Sequence, residues 1–180
     1  SGLSELVCDS QAMELNELIA ITKDELIRRI ESTHALGVFA ARRSKLEGWL
    51  KVELIDILIA KKRENVLPEL GFIDITFEDV AIELKTVSTN YRIDGFPYVH
   101  RPITENVAGV VQDIECLGLN PNFKNKFIIF TVFPLPEGHV LWPNHLKVIE
   151  DELGKACCPQ SFKFCNGIPG AIYYGKLADE

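Results

Sequence analysis

Residues Phe72–Lys85 read FIDITFEDVAIELK, and this stretch decides the fold that we expect for the chain. Apolar and polar residues alternate on both sides of Glu78-Asp79, as they do in half-buried β-strands. A turn at Glu78-Asp79 would give an antiparallel hairpin in which side chains alternate between the two faces. One face then carries three apolar pairs: Ile73 with Leu84, Ile75 with Ile82, and Phe77 with Val80.

The other face of this hairpin places two carboxylates against each other. In the same register Asp74 lies directly opposite Glu83, and Lys85 lies one step further along that face. Side chains in such positions have Cβ atoms roughly 4.5–5.5 Å apart, and like charges there destabilise a hairpin. A solvated face with an ordinary Glu83–Lys85 surface pair is the alternative. The facing acids favour a divalent-metal site with a lysine beside it.

Upstream of the hairpin, helical spacing predicts a long helix from about Leu36 to Lys62. Glu47 lies near the centre of its apolar stripe and Arg43 lies inside it. A charge on a core-facing stripe is costly unless it is paired or bound to metal. Two readings therefore stay open, an Arg43–Glu47 ion pair at i,i+4 and a Glu47 directed towards the hairpin carboxylates. Glu53, on the flank, is the second choice for the helix carboxylate. The stripe comprises Leu36, Phe39, Ala40, Leu50, Leu54, Ile57 and Leu58.

The remaining pattern predicts an α/β domain around a mixed sheet. Two short helices are expected over residues 9–20 and 23–32, the second opened by a Thr22–Glu25 capping box. Further helices are expected over 103–117 and 145–153, with an irregular stretch over 88–102. Strands are expected near 66–67, over 126–134 and over 171–177. At 180 residues and 47% hydrophobic content, the chain suits one domain.

A helix with an inward Glu, followed by a hairpin bearing Asp74 and Glu83-Leu84-Lys85, resembles the PD-(D/E)XK nuclease superfamily. The resemblance covers roughly Leu36 to Leu135 and implies the restriction-endonuclease-like fold. That fold is a three-layer core in the order αβββαβ, with a mixed sheet flanked by helices and, here, extra N-terminal helices. We accordingly divide the single domain 1–180 into a helical extension (1–34), a core (35–135), and a C-terminal helix and strand (136–180).

One residue departs from the pattern of that family. Ile73 precedes Asp74, where the name of the family has a proline. Pro68-Glu69 could instead supply the first half of the motif. In the hairpin register, however, Glu69 would lie opposite Ser88, well past Lys85. The register therefore selects Asp74.

The resemblance implies a metal-dependent nuclease that hydrolyses DNA or RNA phosphodiester bonds. It implies that Asp74, Glu83 and Glu47 bind Mg²⁺ or Mn²⁺, and that Lys85 orients the attacking water or stabilises charge in the transition state. Nucleic acid is the expected partner, with DNA favoured over RNA. Basic and aromatic side chains suit phosphates and bases, and the candidate nucleic-acid-binding residues are Arg43, Tyr91, Arg92 and Arg101.

A non-catalytic interaction module with the same fold, forming a homodimer, is the alternative to a nuclease. Val52, Ile55 and Ile59 lie on the far side of the predicted long helix from its main stripe. A helix that is apolar nearly all round is a buried one. We therefore expect the N-terminal helices or a partner subunit to cover these three residues.

Charge and cysteine content indicate which partners and which cellular compartment to expect. A net charge of −7 disfavours nonspecific coating of nucleic acid but is compatible with carboxylates that hold metal. No apolar run approaches the roughly 20 residues of a membrane span, and no secretory signal is recognisable, so we expect a cytoplasmic protein. The five cysteines are expected to be reduced and to pack as small buried hydrophobes. A zinc site of Cys157, Cys158 and Cys165 with His139 or His145 is the less favoured reading.

Overall fold

A computed structural model describes the backbone of residues 2–178 and the side chains from Leu15 onward. Its helices are α1 (Gly2–Ser32), α2 (His34–Ala41), α3 (Glu47–Ala60), α4 (Ile103–Gly118) and α5 (Trp142–Leu153). Its strands are β1 (Leu67–Leu70), β2 (Ile73–Phe77), β3 (Val80–Ser88), β4 (Asn125–Phe133), β5 (Cys158–Lys163) and β6 (Pro169–Lys176). The α/β class predicted from the sequence is confirmed.

The six strands form one mixed sheet in the order β1-β2-β3-β4-β6-β5. β3 and β4 are parallel along their whole length, and the other neighbouring strands are antiparallel. Parallel neighbours need a crossover connection, which α4 provides here. The N-terminus of α4 therefore follows the C-terminal end of β3, at the centre of the sheet.

Apolar side chains cover both faces of the sheet. On one face Ile75, Ile82 and Leu84 pack in a cluster with α1, α2 and α3. On the other face Ala81 and Phe130 pack in a second cluster with α4 and α5. Alternation along the strands produces this division, since successive side chains point to opposite sides. The sheet is thus the middle layer of three.

The predicted hairpin register is confirmed next to its turn but not at its open end. Ile75 pairs with Ile82 and Phe77 with Val80, and the regular pairing of β2 with β3 begins only at Ile75. Ile73 was expected beside Leu84, yet the two lie in clusters on opposite faces of the sheet. That prediction was wrong: Ile73 is instead paired with Leu70 of β1.

The two helices predicted for the N-terminal region are one continuous helix, α1. Thr22 is not an N-cap, because its hydroxyl donates to the carbonyl of Leu18 at 2.7 Å inside the helix. Such bonding back to the i−4 carbonyl is an alternative to capping. Leu18 and Leu26, on either side of Thr22, are buried in the same cluster. Packing against the sheet therefore carries the helix through the predicted boundary.

The long helix predicted over 36–62 is broken into α2 and α3. Arg43, in the connection, has a left-handed backbone with φ 57°. The hydroxyl of Ser88 donates to the Arg43 carbonyl at 3.0 Å, and the amide of Leu46 donates to Thr86 Oγ1 at 2.9 Å. Two hydroxyl groups of β3 thus form hydrogen bonds with backbone groups that would bond to each other's turns in a continuous helix. Because the helix is interrupted between them, Arg43 and Glu47 do not have the predicted i,i+4 positions on one helix.

At the C-terminal side, the sequence missed β5. This strand pairs only with β6, contains Pro159, and is mostly exposed. Proline is tolerated in edge strands because one side of the strand makes no ladder bonds. An exposed edge strand also lacks a strong apolar alternation, so periodicity did not reveal it.

Arg29 connects α1 to α3 and gives a test of this packing. Its Nη1 lies 2.6 Å from Glu53 Oε2 and 2.7 Å from Asp56 Oδ2. Arg29→Ala should lower the free energy of unfolding by about 1 kcal/mol in urea denaturation, since a partly buried ion-pair network and aliphatic packing are lost. Arg28→Ala is the matched control because Arg28 is 72% exposed and pairs with Glu25 on its own helix. Equal losses in both variants would contradict the connecting role of Arg29.

Candidate active site

Asp74 and Glu83, the facing acids predicted from the sequence, lie near each other. The carboxyl group of Asp74 is close enough to raise the pKa of Glu83. Asp74 Oδ2 also accepts a hydrogen bond from the backbone amide of Leu84 at 2.9 Å. The two side chains meet where β2 leaves β3. In the metal-free protein, a proton on Glu83 removes the repulsion between the two carboxyl groups.

Glu83 holds that proton over a wide pH range. Burial raises the pKa of Glu83 to about 9, and the neighbouring carboxyl groups of Asp74 and Asp113 contribute in the same direction. Lys85 opposes the increase but does not cancel it. Two acids this close cannot both carry charge at low cost unless a cation joins them.

Lys51 is a site residue that the sequence reasoning missed. Its Nζ lies 2.7 Å from Asp74 Oδ1 and 3.0 Å from Glu69 Oε1. Burial alone lowers the pKa of Lys51, but the hydrogen bonds to Asp74 and Glu69 outweigh it and the pKa is raised. Lys51 follows Glu47 by one turn of α3, so helical spacing places both side chains on the same face of the helix. Glu69, rejected as a motif residue, contacts the site only through this lysine.

Lys85 is held on the other side of the sheet by α4. Its Nζ lies 2.7 Å from Asp113 Oδ2. Gly109, one turn earlier in α4, leaves room for the lysine, because a Cβ there would lie 3.2 Å from Lys85 Cε. Asp113 was also missed, although an acid between the buried Val110 and Ile114 was the available signal. Glu83, Lys85 and Asp113 therefore belong to one charged group.

Glu47, the predicted third ligand, binds β3 at a different point. Its Oε1 accepts a hydrogen bond from the Thr86 amide at 2.9 Å. Among the side chains that the structure describes, no three His, Cys, Asp or Glu groups are placed to hold one metal ion. Glu53, the second choice, pairs with Arg29 of α1 instead. The role of Glu47 as a metal ligand stays a prediction.

Two of the four predicted nucleic-acid-binding residues come together. Arg43 and Arg101 line a cleft of about 410 Å³ that also includes Thr86, the residue after Lys85. Tyr91 is only 5% exposed, and its ring stacks on His139 with centroids 3.5 Å apart. The guanidinium of Arg92 lies over the Tyr98 ring at 5.2 Å. Tyr91 and Arg92 are thus absent from the lining of this cleft.

Of the cysteines whose side chains are described, one is buried as predicted. Cys157 is buried, and burial raises the pKa of its thiol to about 12. Cys116, Cys158 and Cys165 are exposed, so the expectation that they pack as buried hydrophobes was wrong. Cys116 lies near the end of α4, Cys158 begins β5, and Cys165 lies in the connection between β5 and β6. Cys8 lies outside the described side chains.

Comparison with known proteins adds no family or relative: no protein-family model, curated protein or solved structure matches the chain. Over residues 2–178, no helix has the length and apolar content needed to cross a membrane. Function must therefore be inferred from the site itself.

The protonated pair predicts a pH dependence of stability in the metal-free protein. The pKa of Glu83 rises from an ordinary value of 4.5 to about 9 on folding. Between these values the folded state binds more protons, so the stabilisation is complete below pH 4.5 and is lost as the pH rises towards 9. The slope is at most about 1.4 kcal/mol per pH unit.

Urea unfolding in EDTA at several pH values between 5 and 9 measures this slope. Glu83→Gln should remove the contribution, because a glutamine has no proton to lose. Glu152→Gln, an exposed substitution on α5, is the control and should keep the wild-type slope. A wild-type slope in Glu83→Gln would show that Glu83 is not the source of the pH dependence.

Proposed function

We propose that the protein is a metal-dependent nuclease that hydrolyses phosphodiester bonds in DNA or RNA. The carboxyl pair of Asp74 and Glu83 carries this proposal, because two half-buried acids near each other favour a proton or a cation between them. Mg²⁺ is commonly bound through one or two carboxylates, with the remaining positions left to water and phosphate oxygens. Two carboxylates therefore fit such an ion without a third protein ligand.

The element order supports the family that the sequence resembles. α3, β1, β2, β3, α4 and β4 follow one another as the αβββαβ order of the restriction-endonuclease-like fold requires. The strand that bears Glu83 and Lys85 lies between β2 and β4 inside the sheet. A central strand is a rigid support for a catalytic group. We therefore favour membership of the PD-(D/E)XK superfamily and a preference for DNA over RNA.

A bound divalent ion would lower the pKa of a coordinated water and polarise the phosphate. Asp74 and Glu83 would hold that ion, with Mn²⁺ able to replace Mg²⁺. Lys51 places positive charge against Asp74 Oδ1 and orients its carboxylate. Lys85, positioned by Asp113, would stabilise negative charge on the phosphate or orient the attacking water. Glu47 fixes the start of α3 to β3 beside these groups.

Cleavage assays test the proposal. The protein is incubated with plasmid, single-stranded DNA and RNA in Mg²⁺ or Mn²⁺. Asp74→Asn, Glu83→Gln and Lys85→Met should each reduce the cleavage rate by about 10²–10³-fold, as expected when charge stabilisation at the phosphate is lost. Thermal melting of each variant separates loss of chemistry from loss of folding.

Matched substitutions on exposed positions provide the controls. Glu152→Gln and Lys155→Met make the same chemical changes at the far end of α5 and should leave cleavage unchanged. Equal cleavage by wild type and Glu83→Gln would contradict the site. Calorimetry should detect Mg²⁺ or Mn²⁺ binding that is lost in the Asp74→Asn/Glu83→Gln double variant.

The second candidate function is an interaction module, favoured by an exposed apolar pair on α3. Val52 and Ile59 are 65% and 59% exposed, whereas Ile55 packs against the core. This chain therefore covers Ile55, and the covering of Val52 and Ile59 by a partner subunit stays a prediction. Exposed apolar patches mark interaction sites, and the homodimer stays a prediction. Sedimentation velocity should then show a concentration-dependent dimer that Val52→Ser/Ile59→Ser weakens, together with no metal binding in calorimetry.

A further inference from the structure

Arg43 is a buried cation without an acidic partner. It is 2% exposed, its Nη1 donates to the carbonyl of Ala40 at 2.9 Å, and its Nε has no hydrogen-bond partner. No ion pair to Arg43 is formed by the side chains described from Leu15 onward. Burial lowers the pKa of Arg43, and the nearby charge of Arg101 does so further. An unbalanced buried charge is costly, so its retention needs a reason.

The cleft beside Arg43 is suited to an anion. Arg43, Lys45 and Arg101 bring positive charge to its wall, and no Asp or Glu lines it. The remaining lining groups are hydroxyls and one amide: Ser44, Thr86, Ser88 and Asn106. Its volume of about 410 Å³ lies at the small end of ligand pockets, and the lining lacks the apolar and aromatic side chains typical of them. The lining thus favours a phosphate group over a base.

The fold makes this wall rigid. Arg101 donates from Nε to the Arg43 carbonyl at 3.2 Å and from Nη2 to the Arg42 carbonyl at 3.1 Å. Asn106 donates to the Ser88 carbonyl at 2.9 Å, which connects α4 to β3. The α2–α3 connection, β3 and α4 are therefore bonded to one another around the cleft. A pre-organised set of donors loses little entropy when an anion binds.

The position of the cleft in the sheet also favours the binding of an anion. Thr86 and Ser88 belong to the C-terminal end of β3, and Asn106 belongs to the first turns of α4. Ligands of parallel βαβ units bind at this end of the strands. The N-terminus of a helix also favours negative charge. The side chain at the N-cap of α4, Pro102, makes no capping bond.

We propose that this cleft binds one phosphate group of a nucleic-acid strand, next to the bond that the Asp74–Glu83–Lys85 site would cleave. Thr86 lines the cleft, directly follows Lys85, and donates its amide to Glu47. The cleft and Lys85 thus lie at consecutive positions of β3, with the Thr86 and Lys85 side chains on opposite faces of the sheet. The identity of the strand as substrate rests on the proposed nuclease function, whereas the binding of phosphate does not. The phosphate is either an internal diester or a terminal monoester.

Inorganic phosphate is the first probe. Without divalent metal, it should raise the melting temperature of the wild type above the value in chloride at equal ionic strength. Phosphate also stabilises proteins through exclusion from the surface. Specific binding is therefore judged from the difference between variants. Lys45→Ala should reduce the increase and Lys61→Ala should not, since Lys61 is an exposed lysine at the other end of α3. Arg43→Gln should abolish the increase in melting temperature. If Arg43→Gln does not fold, the Lys45→Ala variant provides the test.

Fluorescence anisotropy with labelled single-stranded oligonucleotides is the second measurement. It is made without metal in the Asp74→Asn/Glu83→Gln background, which prevents cleavage. Lys45→Ala should weaken binding and reduce the slope of log affinity against log salt by about 1. Lys61→Ala should change neither quantity. A loss seen only with 5′-phosphorylated oligonucleotides identifies a terminal monoester, and an equal loss with 5′-hydroxyl oligonucleotides identifies an internal diester.

The outcomes separate the two proposals. Phosphate and oligonucleotide responses that are the same in Lys45→Ala and Lys61→Ala overturn the cleft, whatever the wild type cleaves. Responses that depend on Lys45 while the wild type cleaves nothing support the cleft and reject the nuclease. A response to inorganic phosphate alone, with no effect of Lys45→Ala on oligonucleotides, overturns the nucleic-acid assignment.

Discussion

The hydrogen bond from the Leu84 amide to Asp74 Oδ2 is the interaction on which the site depends. It satisfies a β3 amide with a side chain at the point where the β2–β3 ladder stops, so the two strands separate without leaving that donor unpaired. Asp74 is thereby turned into the gap, where it meets both Glu83 and Lys51. Ile73 packs with the cluster on the α4 side.

Charge is distributed unevenly along β3 and its neighbours. Around Glu83 each lysine is shared with a further acid, Lys51 with Glu69 and Lys85 with Asp113, so negative charge is in excess. Beyond Thr86 the balance reverses, because Arg43, Lys45 and Arg101 line a cleft without an acid. Opposite excess charges in adjacent regions suit a bound cation on one side and a phosphate on the other. This arrangement occurs within a chain of net charge −7.

Elements whose signal is local were predicted well. The turn-proximal register of the hairpin, α4 and β4 follow from alternation and helical period, because each is held by neighbours in sequence or by a continuous apolar face. Asp74, Glu83 and Lys85 were predicted as site residues from the same alternation. Lys51 and Asp113 were missed although helical spacing placed them near the sheet, since spacing alone does not identify a partner on another element.

The sequence by itself determined the α/β class and most of the strands, because period-two and period-3.6 alternation reflect which side chains face the core. The tertiary structure alone decided where helices end and which charges meet. α1 continues past Thr22 because the sheet buries both sides of it, and the helix predicted over 36–62 breaks because Thr86 and Ser88 bond the backbone around Arg43. These contacts join residues about forty positions apart, a distance over which local propensity carries no information.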